Sequence, residues 1–311
     1  MSGKKKYSDL PDIFTHPDQV LQDWKEPVFQ SAGVTVKILR GDLFHPLIQG
    51  NKWYKLRHYA EKARLEQSEG FLSIGGAWSN HLIALAAYAA GCRMPCRFLI
   101  RGAENEWQHN PAVLKMRELG AELSPISRSD FRTITPGGTA ITDFLPEFRN
   151  FTEVPLGASS PKSAAGAADW ARILCKLWDF TDLVLPVASG GTCAGFLLGL
   201  NPEIRIHAVD VLASGEKPET IIRDMAGNSA IGNARLIWHP AYHFGAYARS
   251  SPALETFRSK MLSEQCISTD HIYSGKAFFA VSDLADKKAF LKGSRILVIH
   301  TGGIFQWNSN R

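Results

Sequence analysis

Three short apolar runs, Asp182-Leu-Val-Leu-Pro-Val187, Arg205-Ile-His-Ala-Val209 and Arg295-Ile-Leu-Val-Ile299, constrain the fold more than any other feature of the chain. Their length and composition suit strands buried on both faces, and such strands belong to parallel sheets covered by helices. Val34-Thr-Val-Lys-Ile-Leu39, Gly70-Phe-Leu-Ser-Ile74 and Arg97-Phe-Leu-Ile100 read as further strands. Helical stretches fall between them: the amphipathic Tyr54 to Gln67, then His81 to Ala90, Asn110 to Leu119 and the small-residue stretch Ala164 to Leu177. Pro111 near the start of the third and Gly120 after its end are the usual helix punctuation. Alternating strands and helices predict an α/β architecture with mostly parallel sheets rather than a sandwich or a bundle. Two weak segments, Ser127 to Thr139, broken by Pro136-Gly-Gly138, and Leu156-Gly-Ala-Ser-Ser-Pro161, bracket an expected domain junction.

Composition narrows the function. The 311 residues, 45% of them hydrophobic, can fill a sizeable core. A net charge of +5, from 35 basic and 30 acidic residues, is spread too evenly to mark a nucleic-acid surface. Lys4-Lys5-Lys6, the one basic run, reads as a solvated N-terminus. Five cysteines, Cys92, Cys96, Cys175, Cys193 and Cys266, are an odd number without a paired C-x-x-C pattern. Neither a disulfide framework nor a structural zinc site is expected, and a reducing cytoplasm fits. The most apolar run, Leu82 to Ala90, falls far short of the ~20 residues needed to cross a bilayer, and no signal peptide is read.

Two glycine-rich turns stand where a strand gives way to a helix, where unpaired N–H groups and the helix dipole favour an anion. The first, Gly75-Gly-Ala-Trp-Ser-Asn-His81, offers the Ser79 hydroxyl, the Asn80 amide and the His81 imidazole. It suits a carboxylate, although Ser or Asn in that place also caps a helix. The second, Ala188-Ser-Gly-Gly-Thr-Cys-Ala-Gly195, has less side chain and more open backbone. Gly190 and Gly191 let amides approach an anion while Ser189 and Thr192 add hydroxyls, which suits a phosphate. Neither a G-x-x-x-x-G-K-[ST] loop nor a convincing G-x-G-x-x-G is present, which counts against nucleotides. Upstream lies Gly50-Asn51-Lys52. A lysine amine condenses with a carbonyl once burial or nearby charge leaves some of it neutral. A lysine, a phosphate cradle and a carboxylate site together meet the separate needs of an amino acid joined to pyridoxal 5′-phosphate.

In order and spacing, Gly50-Asn51-Lys52, Ser79-Asn80-His81, Ser189-Gly-Gly-Thr192, Tyr273-Ser-Gly-Lys276 and His300-Thr-Gly-Gly303 follow one family pattern. From about Arg40 to Thr301 the chain resembles the 1-aminocyclopropane-1-carboxylate deaminase/D-cysteine desulfhydrase family of fold type II, tryptophan-synthase-β-like pyridoxal-phosphate enzymes. The resemblance implies two three-layer αβα domains, a large cofactor domain from 1–52 and 162–311 and a smaller inserted one from 53–161, with the cofactor between them. It makes Lys52 the Schiff-base lysine, with Lys55 a weak competitor, and sets Asn80 against the pyridoxal phenolic oxygen. It gives the phosphate to Ala188, Ser189, Gly190, Gly191 and Thr192, and makes Tyr273 the active-site tyrosine. Ser79 becomes the substrate-carboxylate or proton-relay serine, with Asn80 and His81 beside it at the substrate. Relatives of this kind are usually homodimers, and the expected partner is a small amino acid, with no nucleic acid and no membrane.

The chain departs from the pattern at Ser274, where the ring-opening deaminases carry a glutamate. Neither Ser274 nor Thr301 brings a carboxylate to hold a proton on the pyridine nitrogen. A hydroxyl contact, better from Thr301 at a strand end, predicts a mostly neutral ring and a weaker electron sink. The expected reaction is therefore a β-elimination like that of D-cysteine desulfhydrase. The substrate amine displaces Lys52, the freed lysine or a nearby hydroxyl takes the Cα proton, a thiolate or other β group leaves, and water hydrolyses the released aminoacrylate to a keto acid and ammonia. Opening of the cyclopropane ring, racemisation or dehydration on the same fold, and cofactor binding without turnover are the alternatives.

Overall fold

The computed structural model describes residues 21–134, 139–213, 218–227 and 236–305. Lys4-Lys5-Lys6 and Pro136-Gly-Gly138 lie outside the described residues. The strands are β1 (Leu21–Trp24), β2 (Thr35–Leu39), β3 (Phe71–Gly75), β4 (Cys96–Arg101), β5 (Ala121–Ile126), β6 (Thr152–Val154), β7 (Asp182–Val187), β8 (Arg205–Asp210), β9 (Leu236–His239) and β10 (Arg295–Ile299). They form a six-stranded sheet in the order β1-β2-β10-β7-β8-β9 and a four-stranded sheet in the order β5-β4-β3-β6. Every pairing is parallel except that of β1 with β2. The apolar run of β7 is buried along its whole length, as a central strand covered on both faces must be. Pro186 lacks a backbone donor and is tolerated because the β10 ladder reaches only Val184.

Helices start and stop close to where the sequence places them, with two informative differences. The helix expected from Tyr54 runs Asn51–Leu65, so Lys52 sits inside its first turn. The Ser127 to Thr139 segment, expected to be broken, contains the helix Arg128–Ile134, and the following β6 pairs with β3. The passage from the four-stranded sheet back to the six-stranded one therefore falls after Val154, ahead of the Pro161–Leu177 helix. Trp170 of that helix stacks on Tyr54 at 5.0 Å and meets Phe196 edge-on at 5.2 Å. These rings lock the Asn51–Leu65, Pro161–Leu177 and Gly191–Gly199 helices together beneath the cleft described next. No helix among the described residues is long and apolar enough to cross a membrane.

Candidate active site

Parallel α/β sheets bind ligands beyond the carboxyl ends of their strands, where neighbouring connections diverge. Here the turns after β2, β10 and β7 in one sheet and after β3 in the other line a cleft of about 1560 Å³. Lys52, Ser79, Asn80, His81, Ala188, Ser189, Gly190, Thr192, Tyr273 and Thr301 all contribute to its wall. Gly191 lies buried as the first residue of the Gly191–Gly199 helix.

Gly50 explains how two of these segments meet. Its φ is +52°, and a Cβ there would stand 2.2 Å from the Thr301 carbonyl oxygen, so only glycine lets the lysine helix begin against the end of β10. Gly50→Ala should destabilise the fold by on the order of 3 kcal/mol, through strain and backbone overlap. A melting temperature equal to that of the unaltered protein would count against this packing.

Lys52 donates from Nζ to Asn51 Oδ1 at 3.1 Å, and Asn51 Nδ2 donates to Thr192 Oγ1 at 2.9 Å. The lysine is thereby hydrogen-bonded, through one amide, to the second glycine turn. Burial pulls its amine down from 10.5 to about 8, close to where a lysine can act as nucleophile or base. Lys55 is 1% exposed, donates to the Gly157 carbonyl at 2.9 Å, and is pulled well below its ordinary range by burial and then by Lys52. Lys52 keeps part of its surface open to the cleft, whereas Lys55 is committed beneath it.

At the second turn, Gly190 takes a left-handed conformation, and the first helical bond runs from Ala194 N–H to Gly190 O at 2.9 Å. The amides of Gly191 and Thr192 precede that bond, in the arrangement that receives anions. A Cβ built at Gly191 would lie 3.4 Å from each of Lys55 Nζ, Ser159 Oγ and Met225 Sδ. The space in front of the turn is thus bounded by a lysine amine, a hydroxyl and a soft sulfur. Ser159 donates to the Ser189 carbonyl at 3.0 Å, tying the turn to the segment that follows β6.

At the first turn, Ser79 caps the Asn80–Gly91 helix by accepting from Leu82 N–H at 3.3 Å, which leaves its own O–H proton to donate elsewhere. His81 is 3% exposed, and its Nε2 lies 2.9 Å from Ser73 Oγ. Ser73 donates its hydroxyl proton to Val154 O at 2.6 Å, so the imidazole proton is on Nε2 and Nδ1 is a buried acceptor with no hydrogen-bond partner. Burial, and then Lys52 and Lys55, keep His81 neutral. It can meet a substrate donor but brings no positive charge to a carboxylate.

Tyr273 immediately precedes the Ser274–Asp286 helix. Its ring meets that of Tyr247 edge-on, with centroids 6.3 Å apart. Burial first, then Tyr247 and Asp270, hold Tyr273 protonated well above the ordinary phenol range. Ser274 is 0% exposed, its hydroxyl 3.3 Å from Thr301 Oγ1, while Thr301 faces the cleft. His300 donates from Nε2 to Ser268 O and accepts at Nδ1 from Gly302 N–H, fixing the backbone around Thr301.

A lysine and a phosphate-sized turn across a cleft between two parallel sheets define a fold type II cofactor enzyme. The chain belongs to the pyridoxal-phosphate dependent enzyme family, whose sequence profile matches residues 32–302. It is 28% identical to a putative 1-aminocyclopropane-1-carboxylate deaminase of Pyrococcus horikoshii, over 94% of this chain and 95% of the relative. It is 26% identical to the mitochondrial bifunctional D-cysteine desulfhydrase/1-aminocyclopropane-1-carboxylate deaminase of Arabidopsis thaliana, over 93% of this chain and 77% of that one. The crystal structure of a 1-aminocyclopropane-1-carboxylate deaminase homologue superposes with a TM-score of 0.70 at 26% identity, over 91% of this chain and 89% of that one. A hydrogen sulfide-producing enzyme from Fusobacterium nucleatum, 15% identical over 91% of this chain and 94% of that one, shares the fold with a TM-score of 0.64.

The cofactor is therefore pyridoxal 5′-phosphate and the protein a lyase or deaminase. The residues lining the cleft fit that group: a half-buried lysine for the aldehyde, and a glycine turn with a neighbouring lysine amine for the phosphate. Two site residues escape sequence reasoning. Lys55 reads there only as a competitor of Lys52, and nothing in its spacing reveals that the fold brings it against Gly191. Tyr247 sits in an irregular segment without a motif, and only its pairing with Tyr273 at the cleft wall marks it.

Proposed function

We propose that this enzyme eliminates a β substituent from a small amino acid, cysteine-like in having a thiol or comparable leaving group, and releases a keto acid and ammonia. One observation carries the choice: Glu153 is the only carboxylate among the described residues lining the cleft, and its Oε2 is taken by Ile141 N–H at 3.0 Å. Asp270, the acid close to Ser274, accepts from the Ile272, Tyr273 and Ser274 amides. The hydroxyl of Thr301, backed by Ser274, is then the group to meet the pyridine nitrogen, and a hydroxyl does not hold a proton there as a carboxylate would. Elimination of a good leaving group asks less of the electron sink than opening a carbon ring. In this reading the two sheets belong to domains 1–52 with 162–311 and 53–161, closing on the cleft.

Pyridoxal 5′-phosphate, when bound, withdraws electrons from the substrate's Cα. Lys52 is the base for the Cα proton, because a substantial share of its amine is neutral near pH 8 while Tyr273 remains a phenol. Tyr273, with the Tyr247 ring packed against it, is the proton donor for the departing group. Ser79 and Asn80 receive the substrate carboxylate at the helix start. Gly190, Gly191, Thr192, Ser189 and Lys55 hold the phosphate, and Ala188 and Asn80 frame the ring.

The test is a panel of D- and L-cysteine, D- and L-serine, β-chloroalanine and 1-aminocyclopropane-1-carboxylate, assayed for keto acid, sulfide and residual chirality. Sulfide and pyruvate from a cysteine enantiomer are expected. 2-Oxobutyrate from the cyclopropane at a comparable kcat/KM would overturn the preference, and cofactor absorbance without any turnover would reduce the protein to a binding module. A pH series adds a second check. With the Lys52 amine at about 8, capture of the cofactor by apoprotein should accelerate about tenfold from pH 7 to 9 and then level off. An ordinary lysine would keep accelerating past pH 10.

A further inference from the structure

The lysine of Tyr273-Ser-Gly-Lys276 has no part in that reaction, yet it is 0% exposed. Its Nζ donates to three backbone carbonyls: Val211 O at 3.2 Å, His243 O at 2.8 Å and Ala246 O at 3.2 Å. Three acceptors call for three N–H donors, which an ammonium has and a neutral amine lacks. Burial disfavours the charge, while Asp270 and Asp210 favour it. Converging backbone carbonyls around a compact cation are also how proteins coordinate a monovalent ion.

The place of this ring matters. Ala246 immediately precedes Tyr247, and Lys276 lies three residues after Tyr273 on the helix that begins at Ser274. The intervening loop is irregular, with Phe244, Gly245 and Ala248 all at positive φ. Besides the ammonium, a Phe244–Phe279 ring contact at 5.2 Å joins this loop to the helix. Both phenols at the cleft wall are thus indexed to one buried charge.

We propose that Lys276 is a tethered monovalent cation: its ammonium fills a carbonyl ring that fixes the Tyr247 loop to the Tyr273 helix, and the emptied ring will accept potassium or an ammonium ion. Lys276 is then a positioning residue for the two phenols. The activity part of the test rests on the proposed elimination; the binding part does not.

The experiment compares Lys276→Ala and Lys276→Met in chloride salts of potassium, ammonium, propylammonium and tetramethylammonium at fixed ionic strength. Apoprotein carrying Lys276→Ala should melt below the unaltered protein and recover by a few degrees with at least one of the first three cations. Tetramethylammonium, bulky and without N–H donors, should do nothing. Lys276→Met, whose side chain fills the stem of the site, should not respond to any of them. If native Lys276→Ala is too unstable to keep, its refolding yield in the same salts reads the same response.

In the holoenzyme, Lys276→Ala should lower kcat by about a hundredfold, the scale of a small misplacement at a reacting centre. KM and cofactor absorbance should stay nearly unchanged, and the stabilising cation should restore kcat. In a Tyr247→Phe background the same substitution should lower kcat far less, because its effect runs through that phenol. Melting, refolding and kcat that ignore all three cations would overturn the proposal. An unaltered enzyme without turnover on any amino acid would instead overturn the proposed reaction, leaving the melting result to decide the cation site.

Discussion

Lys52→Ala is expected to remove the borohydride-reducible yellow adduct and to lower kcat by about 10²- to 10⁴-fold, the range for loss of a general acid–base group. The loss of activity alone would say little, since many changes in a cleft reduce turnover. Location of the adduct is the sharper measurement. Lys55 lies in the same helix, also lines the cleft, and is also pulled below its ordinary range. Reduction with borohydride followed by peptide mass analysis should find the pyridoxyl group on Lys52 in the unaltered protein and on neither lysine in the variant. An adduct carried by Lys55 would overturn the assignment, and with it the reading of Lys55 as a phosphate counter-charge. The geometry argues against that outcome, because Lys55 is held by the Gly157 carbonyl at 2.9 Å and has almost no surface toward a reactant.

What the chain declares in advance follows a physical rule. The strands read from sequence, β2, β3, β4, β7, β8 and β10, are all interior strands, whose two neighbours and two covered faces demand continuous apolar residues. Those missed, β1, β5, β6 and β9, are the sheet edges. Ala121-Glu-Leu-Ser-Pro-Ile126 shows why: three of its residues are exposed and one is proline, so its strand character comes from β4 rather than from its own composition. The site divides in the same way. Turns at the ends of interior strands carry glycines because backbone must approach closely, and those glycines are visible in the sequence. The approach of Tyr247 to Tyr273 and of Lys55 to Gly191 depends on where a loop and a helix finish relative to distant residues, which no local pattern records. Ser79 and His81 show a further limit. The sequence supplies a hydroxyl suited to capping a helix and an imidazole, but only packing reveals that the imidazole is kept neutral by burial, then by Lys52 and Lys55, with its proton on Nε2 toward Ser73.

Lys55→Met is the second change with a large expected effect, and it should move two quantities in opposite directions. In apoprotein the buried Lys55 amine lies beside Lys52 and donates to the Gly157 carbonyl, and burial, then Lys52, work against its charge. Its folded pKa lies below that of the unfolded chain, so between the two values the unfolded state binds more protons. Apoprotein stability therefore rises with pH across that window and is at its lowest below the folded pKa. Methionine keeps much of the stem volume and removes the charge, so the variant's apoprotein should melt higher at pH 7 and show a shallower rise toward pH 10. Holoenzyme should respond the other way. Without the ammonium facing Gly191, the phosphate loses a charge-assisted hydrogen bond of about 1.5–3 kcal/mol, a roughly 10- to 150-fold weaker cofactor affinity. Equilibrium dialysis of pyridoxal 5′-phosphate against both proteins, with melting curves of each apoprotein at pH 7 and 10, measures both arms. If Lys55 were an ordinary structural lysine, its removal would lower apoprotein stability and leave cofactor affinity unmoved. A gain in stability with a loss of affinity is the signature of a charge that the fold keeps at a cost because the cofactor's phosphate requires it.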